Sequence, residues 1–285
     1  MAPVAIVTDT CHYLPRQLVA ARGIHEVSLY VHWDGREDRE ADLPDFDAYY
    51  DHLGKASTLP TTSQPSIGDF LAVYEPLLDD GRDVVSIHLS GGMSGTVAAA
   101  EQARAQLGER SGRVHVLDST SACGGEGLVV LAAHAAAARG TSAAEVVAHA
   151  RATRDELKMW FAIDTLEYLR RGGRIAAAQA WLGSALRIKP ILTVESEITP
   201  IERVRTSGRA FERMVDYLRS RRDDGADGWV IQHIQAPEEC ARLVERGREI
   251  FGSDPVFVSE IGPVIGTHVG PGLLGVGAIP LRCLS

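Results

Sequence analysis

Two short stretches of the sequence carry hydroxyl side chains immediately before a predicted helix. The first, Leu89–Thr96, follows the apolar run Val84–Leu89 and precedes the alanine-rich run Val97–Leu107. A buried strand, a glycine turn and a helix start are therefore predicted end to end. The first backbone N–H groups of a helix have no intrahelical partner, and the helix dipole is positive there. This turn is predicted to bind an anion.

The second stretch, Thr61–Ser66, has hydroxyl side chains at four of its six positions. Ser66 and Asp69 have the spacing of a capping box, so a helix should begin there. Two hydroxyl-bearing loops that each lead into a helix could hold one small carboxylate or phosphate between them.

Composition and charge exclude several classes of partner. The chain has 285 residues, of which 45% are hydrophobic and 24% charged, as in ordinary globular proteins. The formal net charge of -9 disfavours nucleic acids and anionic membranes as partners.

Targeting and redox signals are weak. The first apolar run, Val4–Val7, is too short for a signal peptide, and the longest one, Leu128–Ala138, is below the roughly 18 residues of a membrane span. We therefore expect a cytoplasmic protein without a stable membrane anchor. The four cysteines lie far apart and form no C-x-x-C pair, so we expect reduced thiols.

Alternating strand and helix patterns predict an α/β fold with two domains. Residues 1–157 should form a first domain with a mainly parallel sheet, and ligands of such sheets bind at the carboxyl ends of the strands. Residues 158–285 should form a second α/β domain with a mixed sheet and the ligand between the two. Its predicted hairpin around Glu195–Glu197 is an antiparallel feature that the first half should lack. The tail Gly262–Pro280 is glycine-rich, and its segment Gly270–Gly275 is expected to be a turn-rich closing segment.

Ser94 also suggests a hydrolase. Residues Gly92–Thr96 nearly match the nucleophile elbow G-x-S-x-G, but Thr96 stands where the last glycine is required. A serine hydrolase that uses Ser94 remains the alternative hypothesis, and an enzyme acting on sugar or nucleotide phosphates is a third. The segment Gly270–Gly275 matches G-x-G-x-x-G by letters only, because no βαβ unit follows it.

Cations and histidines give two further candidates. His268 lies among glycines that would let it approach a ligand, or it is an ordinary loop histidine. The segment Arg170–Arg174 places three arginines around two glycines. It is either a helix stop or a basic surface for an acidic partner. The ten histidines show no metal-binding spacing, so no metal is predicted.

Taken in order, several motifs resemble those of the DegV family of bacterial fatty-acid-binding proteins. The resemblance spans about Val4 to Pro280. Its motifs are Thr8–Thr10, Thr61–Ser66, Leu89–Ser90, Met93–Thr96, Leu117–Ser119, Leu166–Ile175, Lys189–Leu192, Val204–Thr206 and His268–Gly272.

The resemblance implies a protein that binds one long-chain fatty acid, with the carboxylate on Thr62 and Ser94. Neighbouring residues of the same site would be Thr61, Ser63, Gly95 and His268. It implies no cofactor and no catalytic residue of its own, because some members carry the acyl group for a separate ATP-dependent kinase subunit. Arg170, Arg171 and Arg174 would face that kinase. Thr10 and Gly91 stand where the family usually has serine, and neither change touches Thr62 or Ser94.

Overall fold

The computed structural model describes residues 2–56, 58–182 and 188–285. The strands are β1 Val4–Asp9, β2 His25–Val27, β3 Tyr30–Trp33, β4 Arg36–Arg39, β5 Thr61–Ser63, β6 Asp83–His88, β7 Val114–Asp118, β8 Lys158–Ala162, β9 Lys189–Glu195, β10 Glu197–Val204, β11 Gly228–His233, β12 Phe257–Glu260 and β13 Leu274–Ile279. The helices are α1 Arg16–Arg22, α2 Asp47–Lys55, α3 Ile67–Asp79, α4 Thr96–Gln106, α5 Gly124–Ala138, α6 Ala143–Glu156, α7 Glu167–Arg171, α8 Ser207–Asp223, α9 Pro237–Phe251 and α10 Pro263–Val269.

A four-stranded parallel sheet, in the order β2-β1-β6-β7, forms the first half. Alternate residues of β1 enter different cores: Ala5 and Val7 pack with α3 and α4, whereas Ile6 packs with α5 and α6. Helices therefore cover both faces, which explains the continuous apolar runs of the strands. The parallel sheet and the capping box of Ser66 and Asp69 are confirmed.

The second sheet has six strands in the order β10-β9-β8-β13-β11-β12. Only β11 and β12 pair in parallel; the other neighbours are antiparallel. One face packs on α8 and α9 through residues such as Ile231 and Val276, and the opposite face turns towards the parallel sheet. The predicted mixed sheet is confirmed.

The expectation of a turn-rich segment at Gly270–Gly275 was correct only for its first residues, because β13 begins at Leu274. The segment Gly262–Pro280 contains helix α10 and strand β13, which lies inside the six-stranded sheet between β8 and β11. Gly275 and Gly277 weaken the strand pattern in the sequence. In the folded chain, side chains of neighbouring strands approach these glycines instead.

The first half also contains an antiparallel sheet, which we did not expect. It has the order β4-β3-β5. The run Val27–Trp33 is divided between β2 of the parallel sheet and β3 of this sheet. Thr61–Ser63, predicted as a loop, forms β5, because its backbone pairs with β3.

The two large sheets come from separate parts of the chain, β1 to β7 and β8 to β13. The division into domains 1–157 and 158–285 stays a prediction. None of the described helices combines the length and the apolar character needed to cross a membrane. The four cysteines are free thiols.

Candidate functional site

A pocket lies between the two large sheets, with about 940 Å³ of empty space that includes its opening to solvent. The parallel half contributes Leu89, at the end of β6, and Ala122 and Cys123, before α5. The six-stranded sheet contributes Phe161 and Gly275, which are directly paired across β8 and β13. Most of the wall is therefore apolar, and strand register decides which residues form it.

One part of the pocket wall is polar. The described polar residues that line this part are Thr62, Ser63, Gln64, Ser94, Arg174 and His268, and the Ser63 hydroxyl lies 2.9 Å from His32 Nε2 on the other face of β5. The lining residues come from β5, from the turn before α4, from the chain after α7 and from the end of α10. The structure therefore brings together the two hydroxyl stretches, His268 and one arginine of the basic segment.

His268 is bonded to Thr62. The His268 Nε2 atom lies 2.9 Å from the Thr62 hydroxyl oxygen, whereas Nδ1 is buried without a partner among the described residues. Burial and, to a smaller extent, the positive charge of nearby Arg174 together lower the pKa of His268 to about 4. The imidazole is therefore neutral at neutral pH.

Ser94 lies at the turn that enters α4. Its hydroxyl is 2.8 Å from the Thr96 hydroxyl and accepts a bond from the Thr96 N–H at 3.3 Å. Gly95 is the N-cap residue of α4 and supplies no side-chain cap. A Cβ atom at Gly95 would lie 3.2 Å from Gln64 Cδ, so the two hydroxyl stretches are in contact here.

Hydrogen bonds to Asp9 fix the start of the loop that carries Ser94. One Asp9 carboxylate oxygen accepts the Cys11 N–H, and the other accepts the Leu89 N–H at 2.9 Å and lies 3.1 Å from His88 Nδ1. Asp9 and His88 are fully buried. Because buried carboxylates need such partners, this network fixes the ends of β1 and β6.

The basic segment divides into two parts. Arg170 and Arg171 both pair with Glu167, at 2.7 and 2.6 Å, and these hydrogen bonds lower the pKa of Glu167 to about 2. Arg174 instead donates to the carbonyl oxygens of Met93 and Gly172 and lines the pocket. Its positive charge is therefore available at the polar part of the pocket.

Two predicted site residues lie outside this wall. Thr61 is exposed and lines a separate groove beside Trp33, since successive residues of β5 point to opposite faces. Gly95 is exposed at the N-cap. Gln64, within the Thr61–Ser66 motif, also lines the pocket, although no pattern in the sequence assigns it to the site. The residues of the apolar wall cannot be recognised from a single sequence.

The contacts of Ser94 do not support the hydrolase alternative. Within the described part of the chain, the hydroxyl of Ser94 bonds to Thr96 and has no histidine partner, while His268 bonds to Thr62. A serine nucleophile needs an adjacent base.

Sequence comparison identifies the family. The family model described as "uncharacterised protein, DegV family" matches residues 3–281, and the chain therefore belongs to the DegV family. Protein DegV from Bacillus subtilis is 34% identical over 279 residues, covering 96% of this chain and 98% of that protein. A DegV domain-containing protein from Streptomyces coelicolor is 38% identical over 276 residues, covering 96% and 97%.

Solved structures with this fold include two described as fatty-acid-binding. A DegV family protein from Thermus thermophilus, described by its fatty acid binding, superimposes with a TM-score of 0.89 at 34% identity, covering 98% of this chain and 100% of that one. DegV of B. subtilis, described as a fatty acid binding protein, gives a TM-score of 0.88 at 32% identity, with the same coverage.

Proposed function

We propose that this protein binds a long-chain fatty acid in the pocket between its two halves. The observation that carries the proposal is a largely apolar pocket with Thr62, Ser94, Arg174 and His268 together on its wall. The fatty-acid-binding relatives support the same class of ligand. Burial of each methylene contributes about 0.8 kcal/mol, so a long chain contributes roughly 10 kcal/mol before the costs of binding are subtracted.

The carboxylate is held by Thr62 and Ser94, with Ser63, His268 and the start of α4 around it. Charge-assisted hydrogen bonds, the helix dipole and the guanidinium of Arg174 stabilise the negative charge without a lysine. Thr61 and Gly95 belong to the same two stretches but support the site from outside the pocket wall.

The protonation state of His268 supports a specific role for Thr62. A neutral imidazole carries a proton on only one of its two ring nitrogens. Because a buried N–H without a partner costs more than a buried lone pair without one, we assign the proton to Nε2, which has a partner, and not to Nδ1. The Nε2–H then donates to the Thr62 oxygen. The hydroxyl proton of Thr62 is left free to donate to the ligand carboxylate.

The bound carboxyl group is presented to a separate ATP-dependent kinase subunit, which converts it to an acyl-phosphate. The chain itself acts as a binding protein in the cytoplasm, where ATP is available, and supplies no catalytic residue. Arg170 and Arg171, which are exposed at the end of α7, contact the kinase, while Arg174 stabilises the head group from the same segment.

The experiment is native mass spectrometry of the purified protein with lipid extraction, followed by titration of palmitic acid into two variants. Thr62→Val and Ser94→Ala should each weaken binding by about 1 to 3 kcal/mol, roughly 5- to 150-fold, because a charged ligand group loses a donor. Thr61→Val is the matched control, since Thr61 is exposed on the same strand, and its affinity should equal that of the wild type. A wild-type protein that binds no fatty acid contradicts the proposal, and unchanged affinity in both variants removes these hydroxyls from the head-group site.

A further inference from the structure

A second cleft adjoins the acyl pocket, and the same two side chains line both. Met159 and Val194 belong to the wall of the pocket and to the wall of the cleft. The rest of the cleft includes Ser119–Ser121, Arg154 and Lys158, and it has about 910 Å³ of empty space, open solvent included. Met159 and Val194 therefore lie between a largely apolar pocket and a cleft of mixed polar and apolar lining.

Met159 fills its position because two glycines make room for it. A Cβ atom at Gly125, on α5, would lie 2.6 Å from the Met159 sulfur, and one at Gly277, on β13, would lie 2.9 Å from its Cγ. The backbone of Met159 is fixed, since its carbonyl oxygen accepts the Thr193 hydroxyl at 2.6 Å. The side chain itself is unbranched and only half-buried, so it is the adaptable member of the pair, whereas Val194 is β-branched and stiff.

Met159 lies beside the start of α5, whereas the head-group residues come from β5, from the turn before α4 and from the end of α10. Helix α10 runs along the pocket, with Val264 at its start and His268, bonded to Thr62, near its end. Gln232, which also lines the pocket, accepts the N–H of Gly124, the residue before Gly125 in α5.

We propose that Met159 is the partition that ends the acyl pocket and limits the length of the bound chain. The inference rests on the proposed function, since it needs an acyl chain in the pocket. An acid longer than the pocket must push the thioether away from Gly125 and Gly277. Removal of the side chain joins the pocket to the cleft and lets the end of the chain emerge.

The test measures affinities for saturated fatty acids of 14 to 22 carbons by competition. In the wild type, affinity should rise about fourfold per methylene until the pocket is full and then fall at least tenfold for longer acids. In Met159→Ala the longer acids should bind within about threefold of the best acid. No further gain is expected, because the cleft is open to solvent and its walls mix hydroxyls and charged side chains of both signs with apolar atoms.

Two variants control for volume and packing. Met159→Leu keeps the partition and should keep the wild-type cut-off. Phe161→Leu enlarges the pocket from the same strand and face but does not line the cleft, so it should lower affinity for all lengths without admitting longer acids. Met159→Val replaces Met159→Ala if thermal unfolding shows that the latter is not folded.

The outcomes separate the two proposals. A folded Met159→Ala protein with the wild-type cut-off overturns the role of Met159, as does a Phe161→Leu protein that admits the same longer acids. A wild type that binds no fatty acid of any length refutes the proposed function itself.

Discussion

Glu40 connects the three-stranded sheet to the helix that carries His268, and its substitution should stabilise the protein in a pH-dependent way. The side chain is 2% exposed. One carboxyl oxygen accepts the Val264 N–H at 2.8 Å and the Tyr13 hydroxyl at 2.9 Å, while the other has no partner within the described residues. Burial raises the pKa of Glu40 from 4.5 to about 7, although these hydrogen bonds oppose the shift.

The sign of the effect follows from the raised pKa. In the unfolded chain Glu40 loses its proton near pH 4.5, whereas in the folded chain it keeps the proton until about pH 7. The unfolded state therefore binds fewer protons over this window, and stability is lost as pH rises through it. A shift of this size corresponds to about 3 kcal/mol above pH 7. Glu40→Gln keeps the accepting oxygen and cannot ionise, so it should recover most of that free energy.

The assay is urea unfolding of the wild type and of Glu40→Gln at several pH values between about 4.5 and 7.5. The difference in the free energy of unfolding should grow with pH to about 3 kcal/mol. The titration of His268 and of other groups contributes equally to both proteins and cancels in this difference. Glu109→Gln, at an exposed position, is the control and should show no such dependence on pH. A constant difference would mean that folding does not raise the pKa of Glu40, and a difference that falls with pH would mean that folding stabilises the carboxylate; either result refutes the reasoning.

Two further predictions concern the polar part of the pocket and the basic segment. Gly172→Ala should weaken palmitic acid binding about tenfold, because a Cβ atom there would overlap the His268 ring. Gly173→Ala is the control: its Cβ atom meets no atom within 4 Å, so the substitution should lower stability and leave affinity unchanged. Equal affinities of the two variants for palmitic acid in a titration would argue against a role for His268. Arg171→Glu should leave fatty-acid affinity unchanged and impair acyl-phosphate formation with a kinase subunit, which is measured by phosphate transfer from ATP. Equal loss of affinity and of acyl-phosphate formation would indicate a structural role for Arg171.

Local features of the fold could be predicted from the sequence because they depend on neighbours in the chain. The apolar run before Leu89 and the Ser66–Asp69 pair each identify an element from a few adjacent residues, and both are confirmed. The position of β13 could not be predicted, because its place between β8 and β11 depends on pairing with residues far away in the chain. A weak local pattern at Gly275 and Gly277 therefore concealed an interior strand.

The candidate site could likewise be predicted only where its residues are close together in the chain. The two hydroxyl stretches have a local signature, since each precedes a helix start, but the bond between Thr62 and His268 joins residues 206 positions apart. Arg174 could not be distinguished from Arg170 and Arg171 in the sequence. Its different role comes from Glu167, which lies within reach of the other two on α7.

Glycines make room for a larger side chain at both parts of the pocket, and this explains why their roles are hard to recognise in the sequence. Gly172 ends α7 and by position is an ordinary helix stop, yet its missing Cβ admits the His268 ring beside Thr62. Gly277 weakens a strand, yet its missing Cβ admits Met159. In each case the glycine and the side chain it accommodates belong to different elements, so a larger residue at the glycine displaces a side chain of the pocket wall while the backbone can remain in place. Substitutions at these glycines should therefore change ligand binding before they change the fold.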